Sequence, residues 1–257
     1  MITGVFPSSW QDLQQKVANI LLESGFTVEV EKALETARGK VEIDVYAEEE
    51  VNGRKYSIAC ECKHWKSNVP QSVIHGFRTV ISDLGINIGY VITTSDFQSG
   101  AIDAANYTNV KLLEWNAFQS LFLKSWFAHF FVPKITKELH PLFTYIEPLY
   151  PRWCDEMSDI DQELFHDLRA KYGAFGWVML SFSTYARMLD KNPILPTLPL
   201  RSRFFVDNEK IGRIPVEIMN EVNYLEFMVK SITYARNAIT QFRVLRDKYN
   251  QTYDDER

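Results

Sequence analysis

The sequence predicts an α/β (or α+β) N-terminal domain with a central mixed sheet, followed by a mainly α-helical C-terminal domain. Two observations predict this division. Over residues 1–118, segments with apolar residues at helical spacing alternate with segments in which every second residue is apolar. From residue 119 onward only the helical spacing recurs, interrupted by prolines. The 257 residues are 46% hydrophobic, which suffices for two cores and excludes a disordered chain.

The N-terminal domain begins with a helix, because Trp10, Leu13 and Val17 recur at helical spacing after the N-cap candidates Ser8 and Ser9. Three strands follow at about 26–30, 41–46 and 56–62, where apolar and polar residues alternate. The dipeptide at 52–53, Asn-Gly, lies between the last two strands and predicts a hairpin. The domain then continues with a helix at 70–83, a strand at 89–94, a helix at 99–107 and a strand at 110–113. The predicted order is therefore α-β-β-β-α-β-α-β.

The C-terminal domain, 119–257, is predicted to contain helices at 160–172, 175–189 and 216–249. A proline-rich stretch at 192–199 is expected to be an irregular connection. The segment 117–132 is rich in Phe and Trp and fits either a core helix or a partner surface.

Three residues of the N-terminal domain carry candidate chemistry: Asp44, Glu61 and Lys63. Strand alternation places Glu42 and Asp44 on one face of the second strand, and Glu61 and Lys63 on one face of the third. If these strands pair through the hairpin, two carboxylates and an ammonium group converge. Such a pair of hard oxygen ligands suits Mg²⁺, whose bound water can act as a nucleophile. The alternative is a solvent-facing strand that carries only a Glu61–Lys63 salt bridge.

The pattern resembles the PD-(D/E)xK nuclease superfamily, and more closely its Mrr-like restriction endonuclease branch. The resemblance rests on Glu-Ile-Asp-Val-Tyr-Ala at 42–47 and Glu-Cys-Lys-His-Trp at 61–65. It also rests on their context, with a leading helix, a helix after the second motif, and Val-Ile-Thr-Thr at 91–94. The similar region covers roughly residues 8–118, and it implies a restriction-endonuclease-like fold and metal-dependent hydrolysis of DNA.

The resemblance implies roles for individual residues. Asp44 and Glu61 would ligate Mg²⁺, for which Mn²⁺ could substitute; the Cys62 carbonyl would add a ligand, and Lys63 would be the catalytic lysine. The family often has glutamate where this chain has Gln14, and glycine or aspartate where it has Glu42. These two residues and Gln71, at a position that is often polar in the family, are accessory candidates.

Candidate DNA contacts are His64, which follows the second motif, and four cations of the last predicted helix: Arg236, Arg243, Arg246 and Lys248. Aromatic residues lie among these cations, so the helix fits either a phosphate backbone or ordinary amphipathic packing. Two of the three cysteines form a Cys-x-Cys at 60–62, on the strand face opposite Glu61, which favours buried core thiols over a metal or redox role.

The whole-chain features narrow the function further. The net charge is -5, so the chain is not a generally basic nucleic-acid coat. The start has no signal-peptide pattern, no apolar run is long enough to cross a membrane, and three cysteines form no disulfide framework, which together predict a cytoplasmic protein. The resemblance implies a role in restriction or another defence against foreign DNA. The partners expected with that role are DNA, a second copy of the chain in a homodimer or higher oligomer, and a partner protein of a defence system. The alternatives are a catalytically degenerate nuclease fold serving as a scaffold, and an RNA nuclease.

Overall fold

The structure is a computed structural model that describes residues 1–187, 195–202 and 210–249. The chain divides into two compact units, Met1–Phe130 and Phe131–Arg257. Each unit has its own buried core.

The first unit contains the predicted order of elements. They are α1 (Trp10–Glu23), β1 (Thr27–Thr36), β2 (Gly39–Val51), β3 (Arg54–Lys63), α2 (Gln71–Asp83), β4 (Ile88–Thr93), α3 (Ser99–Ala105), β5 (Val110–Glu114) and α4 (Trp115–Trp126). Ser9 caps α1 by accepting a hydrogen bond from the backbone N–H of Asp12 at 3.1 Å. From α1 through β5 the unit has the predicted α-β-β-β-α-β-α-β order, which is confirmed, and α4 follows it.

The five strands form one mixed sheet in the order β1-β2-β3-β4-β5. The first three strands pair antiparallel, and the last three pair parallel through the helical crossovers α2 and α3. Asn52 and Gly53 both have positive φ, 52° and 75°, as a type I′ hairpin turn requires. This turn sets the register of β2 against β3, with Val51 opposite Arg54 and Val45 opposite Cys60.

Both faces of the sheet are covered. On one face, α2 packs so closely on β4 that a Cβ at Gly89 would lie 2.7 Å from Phe77 Cε1. On the other face, Tyr90 of β4 makes edge contacts with Phe118 and Phe122 of α4. The aromatic residues of the 117–132 segment are thus mostly core residues, as the first of the two interpretations held. They include the buried Phe118, Phe122, Trp126, Phe127 and Phe131.

The second unit is helical over its described residues, as predicted. A π-helical turn (Phe127–Phe131) ends the first unit and includes the first residue of the second. The second unit then contains α5 (Val132–Ile146), a 3-10 turn (Arg152–Glu156), α6 (Asp159–Leu180), α7 (Thr184–Arg187), 3-10 turns at Leu200–Ser202 and Ile211–Arg213, α8 (Val216–Met219) and α9 (Tyr224–Asp247). Of the predicted connection at 192–199, residues 195–199 have no helix or strand, and 192–194 lie outside the described residues.

Two helix predictions for this unit were wrong in their boundaries. The helices predicted at 160–172 and 175–189 are one continuous α6 as far as Leu180, because buried apolar residues keep helical spacing across the junction at Leu168, Tyr172, Phe175 and Met179. Residues 188 and 189 lie outside the described part. The helix predicted at 216–249 is broken into α8 and α9, because the Glu221 carboxylate accepts the backbone N–H groups of Val222 and Asn223 and so holds a turn there.

The aromatic residues of α9 point into the second unit rather than along a basic surface. Phe242 is fully buried and stacks on Tyr145 at 4.8 Å between ring centroids. Tyr234 packs against Tyr172 and Phe175. For these side chains, amphipathic packing is the correct interpretation.

Candidate active site

The first residue of the site, Asp44, lies where β2 is paired with neither of its neighbouring strands, β1 and β3. The pairing of β1 with β2 omits one pair, Glu31 opposite Asp44, and Glu31 has a left-handed φ of 53°. The pairing of β2 with β3 ends at Val45 and Cys60, just before Asp44. In place of a ladder bond, the Asp44 carboxylate accepts the backbone N–H of Cys62 at 2.6 Å. The carboxylate is thereby held against the strand that carries Glu61.

This irregularity corrects the alternation predicted for β2. Ile43 and Tyr46, three residues apart, belong to one buried cluster with Phe77 and Ile81 of α2. Strict alternation would place Ile43 and Tyr46 on opposite faces, so the alternation is interrupted at Asp44. Glu42 lies before the interruption, exposed and with its backbone paired to Ala33, so it does not share a simple face with Asp44.

Glu61 and Lys63 lie at the end of β3, two residues apart. The Lys63 ammonium forms an ion pair with Glu61 Oε1, and both side chains are mostly buried, 23% exposed for Glu61 and 18% for Lys63. The salt bridge considered as an alternative therefore exists, but it is sheltered rather than solvent-facing. The Lys63 carbonyl accepts hydrogen bonds from the Thr93 hydroxyl and the Thr94 N–H, both at 3.1 Å. These bonds fix the end of the strand from which Lys63 projects.

The electrostatics of the site favour an added positive charge. Burial raises the pKa of the Glu61 carboxyl, the hydrogen bond from Lys63 opposes that rise, and the nearby charge of Asp44 adds to it. A divalent cation between the two carboxylates would relieve both the burial cost and the repulsion.

The donor set fits a hard cation that retains several waters. Among the described residues, no three His, Cys, Asp or Glu side chains are grouped as a complete metal site. The protein therefore offers the two carboxylates and backbone oxygens, as Mg²⁺ commonly accepts. The Cys62 thiol is buried, and burial raises its pKa well above the usual value, which favours the neutral thiol. Cys60 is likewise buried, as the core-thiol interpretation predicted.

The accessory candidates are more dispersed. Gln14 is buried on α1, and Gln71 is exposed in the first turn of α2, where its amide lies 2.8 Å from His75 Nε2. His64 is half-buried, with its Nε2 3.2 Å from the Pro7 carbonyl oxygen, so this ring nitrogen binds the N-terminal segment. In contrast, a hydrogen bond joins Asp44 to Cys62 and an ion pair joins Glu61 to Lys63.

The candidate DNA-binding cations of α9 lie in the second unit, and three of them have carboxylate partners there. Arg236 pairs with Glu138 at 2.7 Å, Arg246 with Asp247 at 2.6 Å and Lys248 with Asp161 at 2.8 Å. Arg243 is exposed. Local pairing of these cations reduces the charge that the helix can offer to phosphates.

Two features of the site were missed by sequence reasoning. One is the fully buried Thr93, which anchors Lys63; its signal was a hydroxyl residue inside an otherwise apolar strand. The other is the Trp65 ring, whose centroid lies 5.5 Å from Lys63 Nζ. Its signal was its position two residues after the lysine.

A mixed five-stranded sheet is flanked by helices, with Asp44 inside β2 and Glu61 and Lys63 at the end of the adjacent β3. This arrangement is a restriction-endonuclease-like fold. Residues 7–122 match the family model Mrr_cat, described as restriction endonuclease. This match covers the N-terminal region in which the motifs lie, so the resemblance inferred from the motifs is confirmed there.

The other comparisons add little. A crystal structure described as a protein of unknown function, AF1548, is similar over 52% of this chain and 78% of its own, at 20% identity and a TM-score of 0.38, which is too low to support an argument. Among curated protein sequences, none matches the chain. Among the described residues, no helix has both the length and the apolar character needed to cross a bilayer.

Proposed function

We propose that the first unit hydrolyses DNA phosphodiester bonds with a divalent metal held by Asp44 and Glu61, Mg²⁺ being the natural ion and Mn²⁺ a substitute. The observation that carries this proposal is the convergence of the Asp44 carboxylate, bound to the Cys62 N–H, with the Glu61–Lys63 ion pair. This convergence occurs inside a domain of the restriction endonuclease family.

Each residue has a distinct task in the proposed mechanism. Asp44, Glu61 and the Cys62 carbonyl would hold the metal, which when bound supplies a more acidic water and neutralises developing negative charge. Lys63 is held by Glu61 in the structure, and its ammonium would stabilise charge on the pentacovalent transition state or orient the attacking water. Thr93 is a positioning residue, since it holds the backbone of Lys63 rather than the substrate.

The biological role proposed is restriction or another defence against foreign DNA, in the cytoplasm. With one site per chain, cutting both strands of a duplex favours a homodimer or higher oligomer. A partner protein of a defence system is proposed as a further partner. Gln14, Glu42 and Gln71 are proposed as accessory residues, and His64, Arg236, Arg243, Arg246 and Lys248 as DNA contacts.

The direct test is cleavage of supercoiled plasmid with Mg²⁺ or Mn²⁺ and with EDTA. We expect cleavage only with a divalent ion, and a loss of at least about a hundredfold in Asp44→Asn, Glu61→Gln and Lys63→Ala, the scale of removing a charge-stabilising group. Lys55→Ala is the matched control, because Lys55 lies on the same strand but pairs with Glu48 near the hairpin. Equal activity in wild type and in all three site variants would refute the assignment.

The second candidate is a catalytically degenerate nuclease fold that serves as a scaffold. It is favoured by the ion pair in which Lys63 already neutralises Glu61, and by Gln14 where the family often has an acid. If wild type is as inert as the variants with either metal, on DNA and on RNA, this candidate is preferred. Cleavage of RNA but not DNA would instead select the RNA nuclease.

A further inference from the structure

Trp65 is a tryptophan that closely follows the Glu-Cys-Lys motif at 61–63. It lies just beyond the end of β3, two residues after Lys63, and 40% of it is exposed. The aromatic residues of the 117–132 segment are mostly buried, whereas the Trp65 indole is open to solvent. The next residue, Lys66, is also exposed and adds a positive charge beside the ring.

Hydrogen bonds hold the chain between Lys63 and Trp65 in position. The Lys63 carbonyl is bound by Thr93 and Thr94, and the intervening His64 is bound to the Pro7 carbonyl. The ring centroid is 5.5 Å from Lys63 Nζ. On the other side of Trp65, the Ser67 carbonyl accepts a hydrogen bond from Ser95 Oγ at 2.9 Å, so hydrogen bonds hold the backbone both before and after Trp65.

The distance brings a nucleobase within reach of the indole. A phosphate oxygen that accepts a hydrogen bond from Lys63 lies about 3 Å from Nζ, and therefore no more than about 8 Å from the Trp65 ring centroid. That is between two and three nucleotide steps along a stacked strand, each about 3.4 Å. A base attached next to that phosphate can reach the ring if it is free to leave its own stack.

We propose that Trp65 stacks on an unpaired nucleobase next to the scissile phosphate, so that the site prefers single-stranded or locally opened DNA to intact duplex. The proposal rests on the proposed nuclease function. Its physical basis is that an exposed indole gains most from the face of a base, and that bases within a duplex present only their edges. An aromatic ring beside exposed cations is the usual arrangement for binding single strands.

The first test measures binding without cleavage. A labelled single-stranded oligonucleotide and the matching duplex are titrated with the full chain in Ca²⁺ or EDTA. We expect Trp65→Ala to weaken single-strand binding by about five- to a hundredfold and duplex binding far less, and Trp65→Phe to restore most of the loss. Trp177→Ala is the matched control, because Trp177 is a similarly exposed tryptophan of the second unit.

The second test locates the base. An abasic nucleotide is moved along the single strand on either side of the cleaved bond. At one position, the abasic nucleotide should slow cleavage by the wild type as much as Trp65→Ala slows cleavage of the intact strand. The same abasic nucleotide should not slow cleavage by the Trp65→Ala variant any further. A ring that only positions Lys63 would instead slow every substrate equally.

The outcomes separate this inference from the nuclease proposal. If no nucleic acid is cut but single-strand binding depends on Trp65, the stacking inference stands and the catalytic proposal fails. If DNA is cut but Trp65→Ala changes single-strand and duplex substrates alike, the nuclease proposal stands and the stacking inference is overturned.

Discussion

Asp44 shows how an interruption in strand pairing can position a single side chain. Its backbone pairs with neither β1 nor β3, and its carboxylate instead takes the N–H of Cys62 at 2.6 Å. A residue inside a regular ladder would direct its side chain to one face and its N–H and C=O to the neighbours. Because the backbone pairing is interrupted, the Asp44 carboxylate, rather than a backbone carbonyl, accepts the Cys62 N–H beside Glu61.

Glu23 provides a prediction at the residue scale that is independent of the site. Its carboxylate accepts a hydrogen bond from Trp126 Nε1 at 2.5 Å, and burial raises its pKa, an effect that this bond reduces. The folded chain therefore holds the Glu23 proton more tightly than the unfolded chain. As pH rises from the ordinary carboxyl pKa through the raised one, the free energy of unfolding should fall.

We expect Glu23→Gln, which keeps an oxygen for the indole, to remove this pH dependence and to raise the Tm at pH 7 by about 1–2 °C. The effect is small because water screens a partly exposed carboxyl. Thermal unfolding between about pH 4 and pH 8 measures it, with the exposed Glu50→Gln as control for the change in net charge. Parallel pH curves for wild type and Glu23→Gln would contradict the prediction.

At the scale of elements, the N-terminal sheet was predictable because its signals are local. The type I′ turn at Asn52 and Gly53 depends on two residues that tolerate positive φ, and it sets the β2–β3 register without help from the rest of the chain. The register in turn brings Asp44 opposite the end of β3. The failure came at Asp44 itself, since alternation assumes an unbroken ladder.

The helices of the second unit show the opposite case. Two helices were predicted where the structure has the single α6, because buried Tyr172, Phe175 and Met179 continue one packed face across the predicted gap. Apolar spacing suggests one helix from 216 onward, yet the Glu221 carboxylate holds a turn between α8 and α9. Both outcomes depend on contacts that composition alone does not reveal.

The contact of α2 with β4 yields an element-scale prediction. A methyl group at Gly89 would meet Phe77 and Ile81 at under 3 Å, so Gly89→Ala should destabilise the unit by about 1–3 kcal/mol through overpacking. Gly76→Ala is the matched control on the exposed side of α2, where a Cβ meets open space, and it should stabilise by up to about 1 kcal/mol. Urea unfolding measures both; equal midpoints for the two variants would show that the helix does not pack as described.

At the scale of the whole molecule, charge limits how DNA can be held. Residues 1–120 contain more acids than bases, and three cations of α9 are paired with carboxylates. The described exposed cation nearest the candidate site in sequence is Lys66. Binding should therefore depend on the metal and on a few phosphate contacts rather than on a broad basic surface.

This limit predicts a shallow dependence of duplex affinity on salt. Lys63 and Lys66 of the first unit contribute about -2 to the slope of log K against log salt concentration, and the α9 cations add little because three of them are already paired with carboxylates. Lys66→Ala should make the slope shallower by about 1. Fluorescence anisotropy at constant Ca²⁺ and varied KCl measures the slope. A value steeper than about -5 would reveal a basic surface that the described ion pairs do not suggest.

The sequence by itself determined the order and type of the N-terminal elements, the hairpin, the two motifs and the helical character of the second unit. These follow from periodicity and turn chemistry, which act over a few residues. Only the tertiary structure decided that Asp44 leaves the ladder to bind Cys62, that Lys63 is paired with Glu61, and that the cations of α9 are largely paired. Such contacts join residues far apart in the chain, and their geometry depends on how packed elements meet, which no local pattern contains.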